Sequence, residues 1–309
     1  MTPRVAAAYI IQCLVWGTTW AAIKIGVTDV APWTFALARS ILVAAFLGAV
    51  ALALRLPFPR GRKTLVAAAL TGGFNAGASW AIIFWAEQFV PSGLVAVFGA
   101  TSPIWTALLA HFLVEHDRLS VLKILALVLG FGGIVVLVGA SGEISAGPAL
   151  LAAVLLALMT LGWAIAAVAM SRTLTTVHPI PAIALGTATG AVVLVPLVII
   201  EAATGRPVTW TPHAIAAVVY LALIGSGVGL VLNLWLYRRL RPTTIALAQL
   251  LITVEAVLVG ALALGEQVTL GMAAGAVLVL SAIALNARAG RPRPPGGPLP
   301  GQAAASPAE

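Results

Sequence analysis

The sequence predicts an all-α membrane protein: ten transmembrane helices arranged as an inverted five-plus-five repeat. Three observations predict it. Of 309 residues, 61% are hydrophobic and 8% charged, against roughly 25% charged in a soluble domain. Apolar runs close to the ~20 residues that span a hydrocarbon core recur from end to end. The two halves of the chain echo each other, and an odd number of spans per half turns the second copy over in the membrane.

Turn residues and charges mark each element in order. Residues 5–27 follow Arg4 and form a run too long for the apolar core of a signal peptide, with no small-residue cleavage site, so a retained helix is expected. Residues 31–54 and 64–88 flank a basic loop holding Arg55, Arg60, Arg62 and Lys63. Residues 91–113 and 120–140 flank the charged stretch "HFLVEHDR", and 147–171 and 179–201 flank Arg172. Residues 212–237 and 242–264 are separated by Arg238, Arg239 and Arg241, and 270–287 close the set. Pro32, Pro91, Pro148, Pro179, Pro212 and Pro242 stand at segment starts, where a missing N–H costs a helix nothing. Glycines four apart (Gly73/Gly77, Gly186/Gly190, Gly225/Gly229, Gly271/Gly275) signal close helix packing. Residues 288–309, rich in Pro, Gly and Ala, read as a disordered cytoplasmic tail. The single cysteine, Cys13, excludes a disulfide framework.

Basic residues set the orientation. Fourteen of the seventeen Lys and Arg fall on one side: Arg4, the Arg55–Lys63 loop, Arg118, Lys123, Arg172, Arg238, Arg239, Arg241, Arg288, Arg291 and Arg293. The other side has only Arg206, with Asp29, Glu87, Glu143, Glu201 and Glu266. Both termini are expected in the cytoplasm, in an inner-membrane, multi-pass protein. The net charge of +8 then belongs to loops held against anionic lipid, which leaves no basic surface for nucleic acid.

Set without gaps, residues 90–120 and 241–271 align Pro91 with Pro242, Leu113 with Leu264, Glu115 with Glu266 and Leu119 with Leu270. Earlier, "VWGTTW" (15–20) loosely echoes "LGWAIA" (161–166). The expected units are 1–140 and 147–287. Glu115 falls on the basic side and Glu266 on the acidic side, as inversion requires, and inverted repeats around a midplane site characterise alternating-access transporters.

The stretches "WGTTWAAIKIG", "APWTFALARSILVAAFL", "SPIWTALLAHFLVEHDRLS" and "EAVLVGALALGEQVT" together resemble the drug/metabolite transporter superfamily, EamA type. The resemblance covers nearly the whole chain except the tail. It implies two helical bundles around a central cavity, and efflux or exchange of small metabolites.

Charges at membrane depth are the first site candidates, since one at the bilayer centre costs at least ~2.5–3.5 kcal/mol. Glu255 lies about 20 Å into its segment and Arg39 about 12 Å below the opposite end, at 1.5 Å per residue. The two thus share a depth and are the natural pair. Glu255 is the candidate proton or cation site, with Arg39 tuning it or holding a carboxylate; a fixed ion pair ordering the bundle is the alternative. Lys24 lies nearer an end, where it can snorkel. Thr19, Trp20, Asn75, Ser79, Trp80, Ser102, Trp105, Gln249 and Thr253 are candidates for the cavity lining. Trp80 and Trp105 lie too deep for an interfacial belt, whereas Trp33 and Trp210 fit one. Asn75, beside Gly72, Gly73 and Gly77, marks a place where the helix is expected to break or to be approached closely.

No cofactor or metal is expected. "LGFGG" (129–133) has no following Lys-Ser/Thr and is not a phosphate loop, and His111, Glu115, His116 and Asp117 lack the spacing of a zinc helix. An intramembrane enzyme would need a catalytic polar cluster near one interface, which the sequence lacks. A scaffold without transport would leave the mid-depth charges without use. The expected function is secondary transport of small metabolites such as amino acids or related amphipathic compounds, outward or in exchange, with protons as a candidate coupling ion. The protein is expected as a monomer or a homodimer.

Overall fold

The computed structural model describes residues 2–113, 121–140, 147–174, 177–205, 208–237, 239–240, 242–265 and 269–289. Among these residues every regular element is helical. Helices α1 (Pro3–Asp29) and α2 (Pro32–Ala53) are unbroken. The third segment comprises α3 (Arg62–Gly73), a π-helical stretch (Phe74–Ala78) and α4 (Ser79–Ala86). Then come α5 (Ser92–Gly99), α6 (Ser102–Leu113), α7 (Val121–Ala140), α8 (Gly147–Thr173) and α9 (Pro179–Ala203). The eighth segment is α10 (Pro212–Tyr220), a second π-helical stretch (Leu221–Val228) and α11 (Gly229–Tyr237). Helices α12 (Pro242–Leu264) and α13 (Leu270–Ala289) follow.

Among the described residues, six stretches are long and apolar enough to cross a membrane: Pro3–Asp29, Pro32–Ala53, Arg62–Ala86, Gly147–Met170, Pro179–Ala203 and Pro212–Leu236. Leu251–Leu264 and Leu270–Ala282 are shorter apolar helices. Lipid offers no partner for a free N–H or C=O, so such runs fold as helices that satisfy their own backbone. Their outward residues, among them Ile10, Leu14, Leu52, Leu70, Leu158, Ile199 and Leu262, are exposed and form an apolar coat suited to lipid. Phe35, Phe84, Leu94, Phe98 and Leu156 are fully buried at the core.

One expectation about helix continuity is corrected. The run 91–113 is split at Ala100–Thr101 into α5 and α6. Pro103 has no N–H to give the carbonyl of Gly99, so the ladder is interrupted there. Near Asn75, where the third segment was expected to break or to be approached closely, the helix is approached closely at Gly72 and Gly77 and widens into a π turn without breaking. A π turn leaves carbonyls outside the regular ladder, and side chains take them up. Ser79 Oγ donates to Asn75 O at 3.1 Å, and the single proton of Ser40 Oγ is shared between Ala76 O at 3.4 Å and the nearer Thr187 O at 2.9 Å.

Helix α2 packs along α9, α3 along α9, α1 along α12 and α7 along α13. The α3–α9 crossing requires glycine on both sides: a side chain at Gly72 would collide with the backbone of Gly186. At one end of the bundle, polar ties join the first and second halves. Glu201 Oε1 accepts from Trp33 N at 3.0 Å, and its Oε2 accepts from the Thr34 amide and hydroxyl at 2.7 Å each. A carboxylate there also complements the N-terminal dipole of α2. Beside it, Thr211 Oγ1 donates to Asp29 Oδ2 at 2.6 Å. Trp33, expected in an interfacial belt, is tied inward by its indole N–H to Ala81 O at 3.2 Å. Trp210 remains exposed and packs on Phe35 with ring centroids 6.1 Å apart. Glu115, His116, Asp117, Glu143, Arg206, Arg238, Arg241, Glu266 and the tail from 290 lie outside the described residues.

Candidate functional site

The polar candidates gather around the two π-helical stretches and α1. Arg39, on the buried face of α2, is 6% exposed. Its Nε donates to Ser226 Oγ at 3.0 Å, on the second π stretch. The guanidinium stacks 4.0 Å from the ring centroid of Trp80 and 5.7 Å from that of Phe84, both on α4. A cation over a desolvated indole face gains on the order of 2 kcal/mol. The acidic charge acting on Arg39 is that of Glu87, which caps the end of α4.

Glu255 is engaged elsewhere. Its carboxylate lies against Gly17 of α1, so closely that any side chain at position 17 would overlap it. Its charge also acts on Cys13, one turn earlier on α1. The ion pair expected between Arg39 and Glu255 is therefore not made among the described residues. Glu255 meets α1 from the α12 side, whereas Arg39 reaches across to the second π stretch. Equal depth placed them together on paper; helix rotation and the interposed α1 separate them.

The other candidates divide between these surroundings. Thr19 donates to Trp16 O at 2.7 Å and lies beside Gly225. Trp20 is buried, and its indole N–H has no hydrogen-bond partner among the described residues. Ser79 accepts the indole N–H of Trp163 at 2.9 Å. Asn75 Nδ2 reaches Met170 Sδ of α8 at 3.9 Å. Thr253 of α12 donates to Ala96 O of α5 at 3.5 Å. Ser102 and Gln249 are half-buried. Trp105 stands apart, edge-on to Phe131 at 5.1 Å, in a small recess with Thr101, Ile104 and Gly130. Lys24 is turned inward, its ammonium donating to the Glu87 carbonyl.

Sequence reasoning missed Trp16, Trp163 and Ser226. Trp16 donates its indole N–H to Gly225 O, in the second π stretch, at 3.1 Å. Trp163 does the same for Ser79, directly after the first π stretch. A signal was present: the register that sets Pro32 on Pro179 also sets Trp16 on Trp163 and Ser40 on Thr187. The register that sets Pro91 on Pro242 sets Asn75 on Ser226. Gln12, 1% exposed, was also missed; both ends of its amide are enclosed without a hydrogen-bond partner among the described residues, one turn before Trp16. Buried polar groups in this condition are rare and mark sites that call for an explanation.

Comparison with known proteins agrees with this architecture. The chain is 28% identical over 291 residues to the uncharacterized transporter YoaV of Bacillus subtilis (strain 168), covering 92% of this chain and 96% of that protein. One solved crystal structure superposes with a TM-score of 0.65 at 18% identity, covering 93% of this chain and 98% of that one. At that identity the likeness speaks for the fold alone. The EamA-like transporter family matches residues 4–139 and again 150–288. This chain, a multi-pass helical membrane protein, belongs to the EamA-like transporter family.

Proposed function

We propose that this protein is a secondary active transporter that moves small metabolites, such as amino acids or related amphipathic compounds, outward or in exchange by alternating access. The reading takes ten spans in two inverted units, residues 1–140 and 147–287, in the inner membrane with both termini cytoplasmic. The observation that carries it is the pair of π-helical interruptions, Phe74–Ala78 and Leu221–Val228. They occupy corresponding third and eighth segments, and irregular helices at matching places in two repeats point to a transporter's binding site.

The packing supports an internal two-fold relation. Helix α1 packs on α12 as α8 packs on α6; α3 packs on α9 as the second π stretch packs on α2. The α2–α9, α5–α12 and α7–α13 pairs map onto themselves. At the α2–α9 contact, Ser40 Oγ donates to Thr187 O at 2.9 Å, joining two residues that the repeat register makes equivalent.

Glu255 is the coupling group in this reading. Proton gradients or exchange supply the energy, in keeping with a sequence that has no nucleotide-binding loop. Purified protein in proteoliposomes, screened against pooled metabolites with and without a pH gradient, tests the proposal. Wild-type protein is expected to accumulate substrate along the gradient, and Glu255→Gln to lose accumulation while retaining exchange. A protein that moves none of the pool overturns the transport reading. Normal gradient-driven accumulation by Glu255→Gln overturns proton coupling at this residue.

A further inference from the structure

Glu255 stands in a row of leucines. Leu251, Glu255, Leu258 and Leu262 recur at the spacing that shares one face of an α-helix. The three leucines are exposed, Leu262 by 85%. Across the α1–α12 seam, Ile10, Leu14 and Gly17 follow the same spacing, and Ile10 and Leu14 are exposed as well. Both rows belong to the apolar coat that suits lipid. Glu255 itself is half-buried, at the border between its exposed leucines and the buried Ala248, Ile252 and Ala256. Its carboxylate turns into the notch that Gly17 leaves. The group therefore lies at a seam that opens toward the bilayer, away from the closed interior that holds Arg39.

Among the described residues no basic side chain acts on Glu255. A carboxylate at membrane depth is costly, so this one is either protonated or paired with a cation from outside the fold. The headgroups of the bilayer itself cannot supply that cation. At 1.5 Å per residue Glu255 lies about 20 Å from the start of α12 and about 14 Å from its end, well below headgroup level. The fitting ligand is a free amphiphile, an amine with an apolar tail that enters the hydrocarbon uncharged. At Glu255 the carboxyl proton passes from oxygen to the amine nitrogen, which leaves an ammonium bonded to a carboxylate. Such charge-assisted bonds are roughly twice as strong as neutral ones, and the leucine row offers the tail an apolar bed.

We infer that Glu255 is a bilayer-accessible site for amphipathic amines, which compete there with the proton. The inference rests on the transport reading, in which Glu255 carries the coupling proton, and names a class of ligand that regulates that site.

The test uses purified full-length protein in phosphatidylcholine vesicles at fixed pH. The probe is dicyclohexylcarbodiimide, which is lipid-soluble and reacts with protonated carboxyls; peptide mass spectrometry reads its addition at Glu255. A permanently charged, water-soluble carbodiimide is expected to label Glu255 at least about tenfold more slowly. N,N-dimethyloctylamine should slow labelling by the lipid-soluble reagent about tenfold or more, the scale of a hydrogen bond to a charged group. N,N-dimethyloctanamide has the chain with a neutral head, and dimethylethanolamine has the head without the chain. Neither should protect. An unlabelled Glu255 overturns the inference, and a homodimer that buries this face would give that result. Equal labelling by the charged reagent sets the carboxyl in water and overturns it too. So does equal protection by the amide, or no protection by the amine. Labelling is read without transport, so a protein that transports while its Glu255 ignores the amine refutes this inference and leaves the transport reading standing.

Discussion

The carboxylate of Glu255 occupies the space that a side chain at Gly17 would take. The α1–α12 contact thus depends on a glycine opposite an acid, and the acid's position depends on the glycine. Gly17→Ala is expected to push the carboxylate away and force the helices apart. The cost should be about 1–3 kcal/mol, the usual range for overpacking. A lowered melting temperature together with weaker gradient-driven uptake would bear this out. An unchanged melt would mean that α12 shifts freely, and that this contact does not hold Glu255 in place.

Glu201 and Thr34 form the second testable tie. One carboxylate accepts three hydrogen bonds from the first turn of α2. Glu201→Ala should destabilise the protein by about 1.5–3 kcal/mol, the range for bonds to a charged acceptor. Thr34→Val removes only the hydroxyl bond and should cost less. In a double-mutant cycle by thermal or denaturant melting, the two effects should be non-additive. Strict additivity would show that the carboxylate does not hold Thr34.

Trp16 and Trp163 should behave as a matched pair. Each sends an indole N–H from the first helix of its half to the π-helical segment of the other half or its immediate neighbour. Trp16→Phe and Trp163→Phe should each cost about 1 kcal/mol, the net value of an ordinary hydrogen bond. Both should slow transport more than they lower the melting temperature, because in the proposed alternating-access cycle these bonds join the halves that move. A large loss for one with none for the other would argue against equivalent roles.

Orientation is open to direct labelling. In a Cys13→Ala background, Thr204→Cys and Arg60→Cys place single thiols on exposed positions at opposite ends of the bundle. The bias of basic residues predicts that an impermeant maleimide added to intact cells labels position 204 and spares position 60. The reverse pattern would invert the topology and move the Glu201–Thr34 tie to the cytoplasmic face.

Much of the fold was legible from residues alone. The expected run 242–264 matches Pro242–Leu264, and 179–201 differs from Pro179–Ala203 only at its end. Such runs are readable because lipid forces each one to satisfy its own backbone, which makes length and apolarity sufficient signals. The proline starts follow from the same local rule: Pro3, Pro32, Pro179 and Pro212 all lie in first turns, where no N–H is needed. Pro91 instead stands one residue earlier, as the cap of α5.

The partners of the buried charges were not legible. Sequence position sets the depth of Arg39 and Glu255, but not the direction in which either side chain leaves its helix axis relative to its neighbours. That direction depends on helix rotation and crossing, which close approaches such as Gly72 on Gly186 settle between residues far apart in the chain. The π turns are of the same kind. The glycines around Asn75 and the Gly225/Gly229 pair were legible as places of close approach, yet the widening of each helix there was not, because it is accompanied by donors arriving from elsewhere. Ser40 and Trp16 deliver them to the carbonyls of Ala76 and Gly225. The sequence by itself determined the helices, their order and the presence of costly charges, because those follow from local chemistry in an apolar solvent. Only the tertiary structure decided that Arg39 faces Ser226 and Trp80 while Glu255 faces Gly17, because hydrogen bonds and stacking act over a few ångströms and only packing brings those atoms within reach.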